Sequence, residues 1–317
     1  MSAKNAINRR KFNMLTYEKL SGAFWDSMRK SAVSSELLDM TNDPSRHVCA
    51  LPRDTAAAFT AALAKENLFR RYATTIKAPA NSDRIITTDT PVDAEWVAEN
   101  GVIPEADLNA TYLGLEMHKL ACISMLDSYF AYDTGFDIEG YLTGNFARIF
   151  GKAEEDAFIN GNGSDAPRGI LHSTDGADVG VTAASATVIA FDEVSKLFFS
   201  LKPEYRMNAI WTMNDETALA LRELKDSAGN YLWRGTADTL LGRPVVISNH
   251  MPSAASGSKP IAFGDFSYYW IAEQESLTVR ALHEKYSFAN KTGYLGMERL
   301  DGRLIRSEAI KVLQMAE

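Results

Sequence analysis

A mixed α+β fold is what this 317-residue sequence predicts, and three observations carry the prediction. The first is a long helical period from Asp137 to Asn160, ended by Asn160-Gly161-Asn162-Gly163. The second is a series of short β-like segments that interrupt the helices without the regular alternation of a βαβ repeat. The third is a polar stretch, residues 94–108, flanked by alternating segments rich in Thr, Ile, Leu and Tyr; it reads as a two-stranded excursion with an irregular tip.

Taken in order, residues 12–40 are helical in patches, with Met14, Tyr17, Leu20, Phe24 and Met28 near one face and Trp25 beside it. Such a face is buried either against the chain's own body or against another chain, and in the second case Phe24 and Trp25 are candidate contacts between subunits. Pro44 and Pro52 break the pattern. Asp54 is placed to cap a helix running through AAAFTAALAKEN, packed through Ala58, Ala62 and Leu63 or a neighbouring stripe. From Leu68 the texture turns to β, in LFRRYATTI and RIITTDT. On the excursion, Trp96, Val97, Val102 and Ile103 would be poorly buried within one chain and are candidate contacts to a second one.

The long helix carries Ile138, Leu142, Phe146, Ile149, Phe150, Ala153 and Ala157 on one stripe. About 24 residues at 1.5 Å each make a rod of roughly 36 Å. Arg148, Lys152, Glu154, Glu155 and Asp156 fall mostly off the stripe, and the acidic triplet reads as a solvated face. The Asn-Gly repeat should end the helix through the left-handed conformation those residues accept. Residues 172–190 read as loop or surface strand, Phe191–Leu201 as a short helix and NAIWTM as a buried strand. Asn214 should cap a helix over Asp215–Lys225. Strands follow at VVIS, Ile261–Gly264 and YYWIAEQESLTVRAL, a hairpin at Asp301-Gly302 between Tyr294–Leu300 and Leu304–Ile305, and a last strand in AIKVLQM.

Composition narrows the function. Hydrophobic residues make up 46% and charged residues 23%, which is ordinary for a folded soluble chain. No apolar run approaches the length that spans a bilayer, so no membrane partner is expected. The N-terminus lacks the apolar core of a signal peptide. Cys49 and Cys122 stand far apart without a CxxC pattern and read as buried free thiols. Residues 1–30 hold seven Lys or Arg against Glu18 and Asp26, a net of +5 that leaves −13 for the remainder. An acidic body is not the profile of a sequence-specific nucleic-acid binder, though a basic arm could touch phosphate. There is no phosphate-binding glycine loop and no serine elbow. Asn160, Asn162 and Ser164 begin like a calcium loop, but Asp165 replaces the required Gly and Leu171 stands where the bidentate Glu belongs. The five histidines are scattered without a zinc pair. Absent motifs do not exclude an enzyme, but nothing here argues for one, and no cofactor or metal is expected.

Several segments together resemble the HK97-fold major capsid proteins of tailed bacteriophages. AEEDAFINGNGSDAPRGIL (153–171) is similar to the end of that family's spine helix, and AEWVAENGVIPEADL (94–108) to the tip of its E-loop. WTMNDETALALRELKDSAGNYLW (211–233) resembles its A-domain helix and turn; LLGRPVVISNHMP (240–252) and IAFGDFSYYWIAE (261–273) resemble the strands that follow. The closing pattern at 299–310 is similar too, and the segments keep the family's order over residues 68–317. The resemblance implies an N-terminal arm and helices in 1–67, an E-loop excursion and P-domain strands in 68–132 and a P-domain spine helix in 133–163. An A-domain in 164–280 follows, then P-domain return strands and a closing A-domain strand in 281–317. The implied function is a subunit that assembles with itself, as hexamers and pentamers, into an icosahedral virion shell around double-stranded DNA. Arg9, Arg10 and Lys11 are then expected to face DNA or a neighbouring arm. A separate scaffolding protein, a portal and decoration proteins are the other implied partners, with assembly in the bacterial host cytoplasm.

Two departures from the family pattern shape the expectation. The excursion begins near residue 80, after room for an arm and one or two helices, and no cleaved scaffold segment is expected within this sequence. Residues 94–108 contain no Lys, and Thr292 falls near the place of the cross-linking asparagine, with Asn290 close by, so a non-covalent shell is expected. The alternatives are an encapsulin-type nanocompartment shell with the same fold and, more distantly, an α+β hydrolase.

Overall fold

The computed structural model describes residues 21–29, 51–78, 84–88, 96–97, 110–133, 135–233 and 238–317. Residues 21–29 form helix α1, followed by α2 (Arg53–Glu66) and the short α3 (Leu68–Tyr72). Strands β1 (Thr74–Lys77), β2 (Arg84–Thr88), β3 (Ala110–Gly114) and β4 (His118–Asp127) come next. After α4 (Ser128–Tyr132) stands the long α5 (Ile138–Asn160), then β5 (Asp178–Thr182), α6 (Phe191–Ser200), α7 (Pro203–Arg206), β6 (Ile210–Met213) and α8 (Asp215–Glu223). The last part is mainly strand: β7 (Thr239–Leu240), β8 (Arg243–Ile247), β9 (Ile261–Gly264), β10 (Tyr269–Leu282), β11 (Lys291–Leu304) and β12 (Ile310–Gln314).

The strands form three sheets. A six-stranded mixed sheet has the order β5-β12-β9-β6-β8-β7, and a four-stranded one the order β1-β10-β11-β4. The two-stranded excursion pairs β2 with β3 antiparallel, Arg84 opposite Gly114 through Thr88 opposite Ala110. Because β10 lies in the four-stranded sheet, the chain leaves the six-stranded sheet after Gly264, well before the sequence-based boundary at residue 280.

Three apolar clusters hold the layers together. On one face of the six-stranded sheet, Val194 and Leu197 of α6 pack with Trp211 and Phe263. The Trp211 and Phe263 rings stack at 4.1 Å. On its other face, Ile210, Ala262 and Val312 meet Phe69 of α3 and Phe158 and Ile159 at the end of α5. The first half of α5, through Leu142, Phe146 and Phe150, covers the four-stranded sheet together with Phe59 and Leu63 of α2 and Phe24, Trp25 and Met28 of α1. The stripe of α2 is thus the neighbouring one, Thr55, Phe59 and Leu63, and Ala58 faces solvent. Helix α2 also begins earlier than expected, with Pro52 rather than Asp54 at the cap position, which leaves Asp54 in its first turn.

Three other expectations change. LFRRY forms the helix α3 rather than a strand, because Asn67 accepts a hydrogen bond from Phe69 N (2.8 Å) and caps it. Asp301-Gly302 makes no hairpin; β11 runs straight through it. Both residues are buried there, Asp301 accepting from Glu116 N (2.9 Å) and Gly302 N (2.8 Å), and a Cβ on Gly302 would collide with the Tyr269 hydroxyl and the Phe158 ring. Helix α5 ends where expected but by another route: Gly161 is extended (φ −60°), and the left-handed residue is Gly163 (φ 74°). Gly161 is needed instead for close approach, since a Cβ there would land on the Pro167 carbonyl.

Candidate assembly surface

The acidic triplet of α5 is the main departure from a solvated helix face. Glu154 is 1% exposed and Glu155 7%. Arg70 of α3 grips Glu154 with two nitrogens, the Nε bond measuring 2.8 Å, and also contacts Glu273 of β10. Asn67 Nδ2 donates to the same Glu154 carboxylate at 3.0 Å. Glu155, one residue on and pointing elsewhere, accepts from Leu68 N (3.0 Å) and from the Ser248 hydroxyl (2.5 Å). Consecutive glutamates thereby tie α5 to α3 and to the segment after β8. Burial works against the Arg70 charge, but Glu154, then Glu273 and Glu298, hold its pKa above the ordinary guanidinium value. Glu298 of β11 faces the same cluster, 4% exposed. Burial first, then the Glu154 charge, push its carboxyl well above the usual carboxylate range against the pull of Arg70. The Ser248 hydroxyl is spent on Glu155, as its hydrogen bond shows. The acids are committed to holding helices and sheets together.

The NGNGSDAPRG turn after α5 serves the root of the excursion. Asn162 Oδ1 accepts from Ser164 N (3.0 Å) and Asp165 N (3.1 Å), so this loop closes on itself. No group of three metal-ligating side chains occurs among the described residues. Beyond the turn, Arg168 pairs with Asp175 at 2.7 Å and approaches Glu116 at 3.6 Å. Arg303 Nη1 donates to Gly114 O at 3.1 Å. Together with the Asp301 bond to Glu116 N, these contacts fix the base from which β2 and β3 project.

The surfaces left uncovered are apolar at several points. Trp96 is fully exposed and Val97 partly so. At the far end of the four-stranded sheet, Tyr129, Phe130 and Tyr141 are exposed, and the rings of Tyr129, Phe130, Phe136 and Tyr141 form a chain with centroids 5.5–5.9 Å apart. Phe288 stands fully exposed in the turn between β10 and β11. Phe24 and Trp25, by contrast, are 2% and 6% exposed and pack inside this chain, where their rings meet edge to face at 5.1 Å. Tyr294 donates to Met28 O (3.3 Å) and Arg29 to Phe136 O (2.7 Å), so α1 is held by backbone acceptors at both ends of the contact. Their contact is intramolecular, because the body offers a matching apolar trough. Val102, Ile103, Arg9, Arg10, Lys11 and Cys49 lie outside the described residues. Cys122 is a free, half-buried thiol. Among the described residues no helix is long and apolar enough to cross a membrane.

Sequence reasoning missed Arg70, Arg168 and Glu298. Two arginines among the large apolar residues of LFRRY, and a Glu at the inward register of β11, are the signals that could have found the first and last.

The sequence pattern of the phage capsid family matches residues 49–315. The chain belongs to the phage capsid family. This capsid protein also aligns with the solved capsid of a native GTA particle, reconstructed with C5 symmetry, at 30% identity and a TM-score of 0.65; the match covers 91% of this chain and 99% of that one. The capsid of the empty GTA particle gives 30% identity and a TM-score of 0.67 over the same shares. A structure from Gordonia phage Cozz shares the fold at 12% identity and a TM-score of 0.56, covering 80% of this chain and 87% of that one. No curated protein matches the chain. It is a major capsid protein with an HK97-type fold, a shell subunit rather than an enzyme, and its place is the capsid of a virion or GTA particle.

Proposed function

We propose that this capsid protein closes an icosahedral shell of hexamers and pentamers around double-stranded DNA. The observation that carries the reading is the match over nearly the whole of a GTA capsid chain at 30% identity. The division of labour follows the sheets. The four-stranded sheet with α5 acts as the peripheral P-domain, the six-stranded sheet with α6 and α8 as the axial A-domain, and residues 84–114 as the E-loop. Trp96, Val97, Val102 and Ile103 contact a neighbouring subunit. Arg9, Arg10 and Lys11 face packaged DNA or an adjacent arm, and changing all three to Ala should lower DNA retention or assembly yield. The shell is held without covalent cross-links, and a separate scaffolding protein, a portal and decoration proteins act with it.

The test is negative-stain electron microscopy with sedimentation, on the chain expressed alone and then with candidate scaffolding partners. Closed shells or five- and six-membered rings are expected, and shell diameter separates a small compartment from a phage-sized head. A species that stays monomeric under both conditions overturns the proposal. A ladder of heat-stable oligomers on a denaturing gel would overturn the non-covalent part alone.

A further inference from the structure

We infer that a groove between α2, α3, α5 and the end of β8 receives the acidic tip of the excursion from a second copy of this chain. The inference rests on the shell reading above and adds the surface and the chemistry of one contact. The groove holds about 280 Å³. Lys65, Arg71, Lys152 and His250 line it together with the apolar Val246 and Ile247. Lys65, Arg71 and Lys152 are exposed, and none has a carboxylate partner among the described residues. Arg71 does no more than lie 6.0 Å from the Tyr72 ring. His250 is already engaged, 3.5 Å from Asp156. Ile247 keeps 41% of its surface open, so the site combines unpaired cations with an uncovered apolar side chain.

The excursion has the complementary composition. Between residues 89 and 107 there are six carboxylates and no Lys or Arg. Trp96 and Val97 stand exposed in that segment, bracketed in sequence by Glu95 and Glu99. An aromatic anchor flanked by acids suits a lining of Val246 and Ile247 with three cations. Like charges would repel within the excursion itself, and opposite charges steer it towards this groove. DNA is the weaker occupant. A phosphate backbone would leave the apolar lining uncovered, and Glu66 and Glu155 in the same lining would oppose a continuous polyanion. Separate carboxylates on a peptide can be placed between those acids.

The experiment uses a synthetic peptide of residues 89–107, followed by Trp96 fluorescence, added to the full chain kept below its assembly concentration. Saturable binding is expected that weakens with added salt. The triple variant K65E/R71E/K152E should lower affinity about tenfold or more, and a peptide with W96A should bind several-fold less tightly. The neutral variant K65Q/R71Q/K152Q, with its melting curve, keeps the result separate from loss of fold. Peptide binding unchanged in both triple variants, or no binding at all, overturns the inference. So does loss of binding to a duplex DNA oligonucleotide in those variants while peptide binding is retained. Shells that form normally from the triple variant would sink the groove and leave the shell reading intact. Peptide capture by a chain that never assembles would do the reverse.

Discussion

The two larger sheets of this capsid protein are buried in different ways. In the six-stranded sheet the central strands β6 and β9 are buried at every position. Helices cover one face and the end of α5 with α3 covers the other, so side chains on both faces count towards the core. The edge strand β4 of the four-stranded sheet alternates instead, with Leu126 inside and Met125 53% exposed. Its inner face meets α5, α2 and α1, and its outer face is left bare at Ile123 and Met125. A sheet covered on both faces completes its own burial, whereas a sheet covered on one face leaves surface that only another body can cover.

That comparison can be broken by substitution. Phe263→Ala in the six-stranded sheet should cost roughly 3–5 kcal/mol, because a stacked ring buried on all sides leaves a cavity. Denaturant titration of the unassembled chain measures it. A loss below about 1 kcal/mol would mean the core relaxes into the space and the two sheets are alike.

Glu298→Gln should act in the opposite direction. Burial and the Glu154 charge raise its carboxyl pKa in the folded chain well above the ordinary value that the unfolded chain keeps. Above that value the unfolded state binds fewer protons, so this group lowers stability as pH rises. Replacement by Gln should therefore raise stability by roughly 1–3 kcal/mol at neutral pH and flatten the difference between mildly acidic and alkaline conditions. Melting temperatures of both proteins across pH give the comparison. Parallel curves would show that Glu298 is ionised in both states.

The smallest effect belongs to the bare face. Met125→Ser should change the stability of the isolated chain by no more than about 0.5 kcal/mol. Its shell yield, read by sedimentation, should fall if that face meets a neighbour. A large loss of stability with no change in yield would show that the face is part of the chain's own core.

Much of this architecture is legible in linear order because local chemistry dictates it. The 3.6-residue period of α5 falls on the observed buried line at Ile138, Leu142, Phe146 and Phe150, whereas Ile149, read on the same stripe, is 38% exposed. Asn214 caps α8 through Thr217 N at 2.8 Å, as short polar side chains before a helix do. The β2–β3 excursion also follows from strand texture around a polar interval. The likeness of ordered segments to one capsid family carried the function, and neither periodicity nor charge alone would have done so.

Where local signals compete with packing, packing decides. Asp301-Gly302 has the chemistry of a turn, yet it runs through β11 because its neighbours need a strand there without a Cβ. Glu154 and Glu155 have the composition of a wet face, yet Arg70, Asn67, Leu68 N and Ser248 converge on them from far along the chain. Phe24 and Trp25 form an amphipathic face whose partner no sequence pattern could name, and the trough formed by α5 with β10 and β11 receives it. Lys65, Lys152 and His250 share one groove only after folding. The sequence by itself determined the long helix α5, the Asn214 cap of α8, the excursion and the family likeness, because each depends on residues close together in the chain. Tertiary structure alone decided which charges are buried, which aromatics stay inside and which cations stand unpaired, because those depend on what distant segments bring to the same place.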